Sequence, residues 1–111
     1  MALTFTEYQA RAADTARYPD AGNNPIYPTL GLAGEAGEVC EKVKKVLRDQ
    51  GGDFDPGAVA AIKKELGDVL WYVARLAAEL GLDLEEVAAE NLSKLASRKE
   101  RGRLSGSGDE R

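Results

Sequence analysis

The chain has 111 residues, 43% hydrophobic and 31% charged, which suits one domain with a single core and favours association of copies to bury apolar surface. A net charge of −4 argues against a general binder of nucleic-acid polymers, and no apolar run approaches the roughly 20 residues needed to span a bilayer. The N-terminus lacks the basic and apolar regions of a signal peptide, so the expectation is a soluble, cytoplasmic protein that engages no membrane.

Thr4 and Glu7 fit a capping box, which predicts a first helix from Phe5 to about Arg17 with Phe5, Tyr8, Ala12 and Ala16 on one side. Tyr18 to Pro28, with three prolines, Gly22 and Asn23-Asn24, reads as an ordered surface loop. Tyr27 ends that loop, where its ring either stacks on a ligand or packs against the start of the next helix. The second helix is predicted from about Thr29 to Gln50, with the seam Leu32, Ala36, Val39, Val43 and Val46, and Gly51-Gly52 ends it. Cys40, the single cysteine, reads as a small core residue. Gly34 and Gly37 are poor helix formers, so their presence suggests close packing or ligand approach. Lys42, Lys44, Lys45 and Arg48 read as a solvated basic face, as do Arg98, Lys99, Arg101 and Arg103. The acids at 49, 53 and 55 do not match the spacing of a calcium loop and read as a polar connection.

Asp55-Pro56 starts a third helix, predicted to run to about Leu80 with the seam Ile62, Leu66, Val69, Val73, Leu76 and Leu80. Trp71 and Tyr72 read as core or interface residues. Asp83 with Glu86 suggests a capping box for a fourth helix whose apolar face is Leu84, Val87, Ala88 and Leu95. Asn91 falls inside that face, so its amide is either a structural bond or a ligand contact. Lys94 and Arg98 follow along the adjoining edge, an alignment that suits phosphate binding. Residues from Gly102 to Arg111 read as a flexible tail on composition, although Gly-Ser-Gly can also wrap a phosphate.

One pattern occurs twice. Glu35-Ala-Gly-Glu38-Val39 is matched thirty positions later by Glu65-Leu-Gly-Asp68-Val69, each beside its helix's apolar seam. Acids three apart lie on one side of a helix, so two such helices packed together bring four carboxylates to one place. Four anions at a partly buried site repel one another unless a cation neutralises them, and that number of oxygen donors suits Mg²⁺, Mn²⁺ or Ca²⁺. With no histidine and one cysteine in the chain, Mg²⁺ is the expected ion and Mn²⁺ a possible substitute. A di-iron bundle would need histidine, which the chain lacks.

Taken together, Gly-Leu-Ala-Gly-Glu35-Ala-Gly-Glu38, Lys-Glu65-Leu-Gly-Asp68-Val-Leu-Trp-Tyr and Asn91-Leu-Ser-Lys94-Leu-Ala-Ser-Arg98 resemble the MazG-like nucleoside triphosphate pyrophosphohydrolases, an all-α family. The resemblance covers most of the chain and extends to the terminal Gly-Ser-Gly-Asp-x-Arg. It implies hydrolysis of a nucleoside or deoxynucleoside triphosphate to the monophosphate and pyrophosphate, with nucleotide-pool house-cleaning as the expected role. It also implies that Glu35, Glu38, Glu65 and Asp68 bind Mg²⁺ and that Asn91 and Lys94 contact the nucleotide. Glu38 is the candidate general base because it projects further from the seam than Glu35 does. Two other readings stand beside this one: a phosphoribosyl-ATP pyrophosphohydrolase, and a non-catalytic helical dimerisation module whose acids form surface ion pairs. The expected fold is an all-α four-helix bundle in one domain spanning 1–111. Its second and third helices run antiparallel at the centre and carry the paired acids, and long seams favour a homodimer or homotetramer.

Overall fold

A computed structural model describes residues 2–111, and these form an all-helical bundle of four α-helices: α1 (Phe5–Ala12), α2 (Ile26–Asp49), α3 (Pro56–Glu79) and α4 (Leu84–Glu100). Local chemistry sets most of the boundaries. Thr4 Oγ1 accepts the Glu7 N–H at 3.0 Å to start α1, and Asp55 Oδ1 accepts the Ala58 N–H at 2.8 Å to start α3 with Pro56 in its first turn. Left-handed Gly51 and Gly52 close α2, where the Gly52 N–H donates to the Val46 carbonyl. Gly81 closes α3 in the same manner, with the Leu82 N–H donating to Ala77.

Two boundaries and one capping partner differ from expectation. After Ala12 the first helix tightens into a 3-10 turn over Ala13–Thr15 and ends there, short of Arg17. Thr15 is the reason: its hydroxyl donates to the Ala12 carbonyl at 3.2 Å and accepts the Trp71 indole N–H at 3.0 Å, so the chain is held against α3. The second helix begins at Ile26 rather than Thr29, because the Asn24 side chain accepts from the N–H groups of Ile26 and Tyr27 and supplies the cap. Pro28 is tolerated there since the first-turn N–H groups of a helix have no partner within it. At α4, Asp83 Oδ1 accepts from Glu85 N–H, and it is Glu85, not Glu86, whose carboxylate reaches out, to the Phe5 N–H at 2.8 Å. Gln9 completes this junction, accepting from Leu84 N–H and donating to the Leu82 carbonyl.

α2 and α3 form the dominant pair, an antiparallel hairpin, while α1 packs on α3 and on the start of α4. The buried apolar residues are Ala12, Tyr18, Val46, Ala58, Ala74, Ala77 and Leu84, of which Ala12, Ala74 and Leu84 pack as one cluster flanked by Tyr8, Trp71 and Val73. Burial departs from the periodicity in an informative way. Val46 is buried, yet Leu66 and Leu80 of the α3 seam are 54% and 56% exposed. Cys40 is exposed, not a core residue, and Asn91 is exposed along with its neighbours Val87 and Leu95, so it lies in no buried face. Among the described residues, nothing covers the apolar sides that these residues occupy. No helix of the described residues is long and apolar enough to cross a membrane.

A candidate acidic metal centre between two helices

In the antiparallel hairpin, residues early in α2 face residues in the middle of α3. Gly31 sets the distance. A Cβ built there would overlap the Tyr72 ring, so only glycine lets the two helices close to this separation. One turn further along, Glu35, Glu65 and Asp68 converge, each offering a carboxylate oxygen within 4.8 Å of the others. Glu35 and Glu65 are half-buried and Asp68 is exposed. Partial burial, the approach of the Glu65 carboxyl and the charges of Asp68, Glu65 and Glu38 all raise the Glu35 carboxyl above its ordinary value. Glu38 stands outside the converged three, exposed at the next turn but close enough to act on Glu35.

Among the described residues, none of these acids forms an ion pair with a lysine or arginine. An all-carboxylate donor set whose neighbouring charges raise the Glu35 carboxyl, and which lacks a cationic side chain, fits a hard divalent cation such as Mg²⁺. Gly34, Gly37 and Gly67 lie beside the acids, and a Cβ at any of them would meet open space. Of the two expectations for Gly34 and Gly37, close packing is found at Gly31 instead, and the face around the acids is open to approach.

An aromatic group adjoins the acids. Tyr27 stacks on Tyr18 with ring centroids 4.9 Å apart, Trp71 meets both Tyr18 and Tyr72 edge-on, and the Tyr72 hydroxyl is raised in pKa by burial, by nearby Tyr27 and by Glu35 and Asp68. Tyr27 thus reaches the edge of the site, with one face already used by Tyr18 and the residue still 43% exposed. A buried network that sequence reading missed holds this group in place. Glu79 accepts from the Tyr18 hydroxyl at 2.7 Å and from the N–H groups of Gly22 and Asn24 at 2.8 and 2.9 Å. Arg75 donates to Tyr18 and pairs with Glu79 at 3.7 Å. The only signal in the sequence was an Arg and a Glu four apart on the most apolar helix, which is equally the mark of a surface pair.

The α4 residues stand apart from the acids. Asn91 and Lys94 line a shallow depression with Val87 and Glu90, and the polar contacts of Lys94 and Arg98 run to Asp109 near the C-terminus.

Comparison with known proteins places this arrangement in a class. Residues 27–102 match the MazG nucleotide pyrophosphohydrolase domain, a span that contains all four acids and the α4 residues. The chain is also similar to the gene 37 protein of Mycobacterium phage L5, 50% identical over 109 residues that cover 94% of this chain and 96% of that protein. No solved structure matches it significantly. The chain belongs to the MazG nucleotide pyrophosphohydrolase family.

Proposed function

We propose that this protein hydrolyses a nucleoside or deoxynucleoside triphosphate between the α and β phosphates, giving the monophosphate and pyrophosphate in a Mg²⁺-dependent reaction that serves nucleotide-pool house-cleaning. The observation that carries the reading is the convergence of Glu35, Glu65 and Asp68 across the α2–α3 hairpin of a chain in this family. Bound Mg²⁺ supplies charge neutralisation at the phosphates and acidifies a water. The remaining roles fall to the chain. Glu35, Glu65 and Asp68 hold the cation, with Glu38 at the margin as a further ligand and as the base that takes the proton of the attacking water. Its support is its position: exposed, and one turn from the converged acids. Lys94 and Arg98 neutralise phosphate charge, Asn91 hydrogen-bonds the nucleotide, and the free face of Tyr27 stacks against it.

The Cα radius of gyration is 16.8 Å, where a compact chain of this length has about 13 Å. Exposed Leu30, Leu66, Leu80 and Leu92 lie on faces that a second copy would cover. We read the protein as a homodimer or homotetramer in the cytoplasm, with the site at a boundary where α4 of one copy meets the acids of another.

Product analysis of a panel of NTPs, dNTPs and phosphoribosyl-ATP, with Mg²⁺, Mn²⁺ or EDTA, tests the reaction. Monophosphate and pyrophosphate from a triphosphate, only with metal, is the expected result. Cleavage of phosphoribosyl-ATP alone moves the activity to that substrate, and inactivity of the folded protein on every substrate removes the enzymatic reading. Glu38→Gln should lose turnover and keep metal-dependent stabilisation; normal turnover would take Glu38 out of the base role.

A further inference from the structure

Arg98 is only 3% exposed, and the hydrogen bonds of its guanidinium run to a single residue, Asp109. Nη2 donates to the Asp109 carbonyl at 2.6 Å and lies 3.4 Å from Oδ1, and Lys94 Nζ donates to the same Oδ1 at 3.2 Å. Among the described residues, the buried Arg98 Nε has no hydrogen-bond partner. A buried guanidinium with an orphaned N–H, beside a lysine with further donors to offer, is an anion site filled below its capacity. The carboxylate that fills it is itself 81% exposed, so water and salt weaken its hold.

The segment from Gly102 to Arg111 is shaped to deliver that carboxylate. Gly102, Gly106 and Gly108 all have positive φ, and a Cβ on Gly106 would come within 3.1 Å of the Arg111 side chain. Arg111 donates to the carbonyls of Arg103, Leu104 and Gly108, while Arg101 donates to the Arg111 carbonyl. The glycines therefore serve a closed turn, with a salt-bridged residue at its tip, and not the loose tail that a Gly-Ser composition suggests.

We propose that this segment is a latch: Asp109 occupies, as an internal anion, the place on Lys94 and Arg98 that a substrate or product phosphate takes. The proposal rests on the reading of Lys94 and Arg98 as phosphate-binding groups. A phosphate group carries more charge than one carboxylate and presents more acceptor oxygens, so it can satisfy Arg98 Nε as well as the donors that Asp109 engages. Its arrival displaces Asp109, and the segment swings free of α4.

Binding of inorganic pyrophosphate to the full chain, without added divalent ion, is measured by calorimetry for the native protein, Asp109→Asn and Lys94→Gln. Hydrogen exchange over residues 102–111 is followed in parallel. Removing the exposed Asp109 charge that competes for Lys94 and Arg98 should tighten pyrophosphate binding about three- to tenfold in D109N. Pyrophosphate should speed exchange in the segment of the native protein. Arg111→Ala, which loosens the segment without touching α4, should show the same direction of change. D109N binding no tighter than the native protein, with K94Q weaker than both, overturns the latch and leaves the phosphate role of Lys94 standing. K94Q binding as well as the native protein removes the phosphate role itself, and the latch with it.

Discussion

At Gly31 one missing carbon sets the spacing of the central hairpin, because any Cβ there would occupy the Tyr72 ring. Gly31→Ala should cost about 1–3 kcal/mol through overpacking, read as a lowered Tm with the helical signal retained. Gly34, one turn away, has open space, so Gly34→Ala should gain up to about 1 kcal/mol from helix propensity. A loss of stability in G34A would mean that another surface packs on the acidic face. The sequence could not rank these glycines. A helical glycine's propensity cost is local and the same at each position, whereas close approach is set by what the other helix presents. The acids were legible for the opposite reason. Their spacing is local to each helix, the repeat placed them on corresponding faces, and an antiparallel hairpin then brought Glu35 to Glu65 and Asp68.

At the scale of elements, Glu79 ties the Tyr18–Pro25 loop to α3. Its side chain has no solvent exposure, and burial alone would raise its pKa. The N–H groups of Asn24 and Gly22, the Tyr18 hydroxyl and the Arg75 charge outweigh that penalty and hold the carboxyl below its ordinary value. An acid depressed by folding stabilises the protein fully above its unfolded value of about 4.3, and that contribution is lost as pH falls through the lower folded value. Glu79→Gln should therefore flatten the acid limb of the stability profile below about pH 4. It should also cost about 2–4 kcal/mol at neutral pH, because buried donors and Arg75 lose their acceptor. Chemical denaturation across pH checks both, and an unchanged acid limb would show that Glu79 is not the group responsible. Helix boundaries were legible wherever the signal was a cap or a glycine stop, as at Thr4, Asp55, Gly51 and Gly81. They were not legible where a side chain acted from outside the helix, as Thr15 does on Trp71 and Asn24 does on the start of α2.

For the whole molecule, apolar periodicity announced more burial than one chain provides. Leu66 and Leu80 keep the register of the α3 seam yet lie open to solvent, and exposed Cys40 and Asn91 stand on faces that the helical pattern marks as interior. Periodicity reports which side of a helix is suited to avoid water; it does not say whether a covering wall belongs to the same chain. Leu66→Glu should shift the sedimentation of the protein toward monomer and remove the concentration dependence of its Tm. A native protein that sediments as a monomer at tens of micromolar would contradict the assembly reading. The overall helical class needed no such information, since caps, stops and the 3.6-residue period all lie within single segments.

The proposed reaction requires that the converged acids hold the cation it uses. Initial rate as a function of Mg²⁺ concentration, for the native protein and for Glu65→Gln at saturating substrate, tests this most directly. Glu65 is half-buried among the three and is placed outside the base role, so its loss should raise the Mg²⁺ needed for half-maximal rate by at least about tenfold, roughly 1.4 kcal/mol of binding. The rate of the native protein should fall to background in EDTA. Coincident Mg²⁺ dependence in the two proteins, or turnover that survives chelation, would contradict the proposed metal role of these acids.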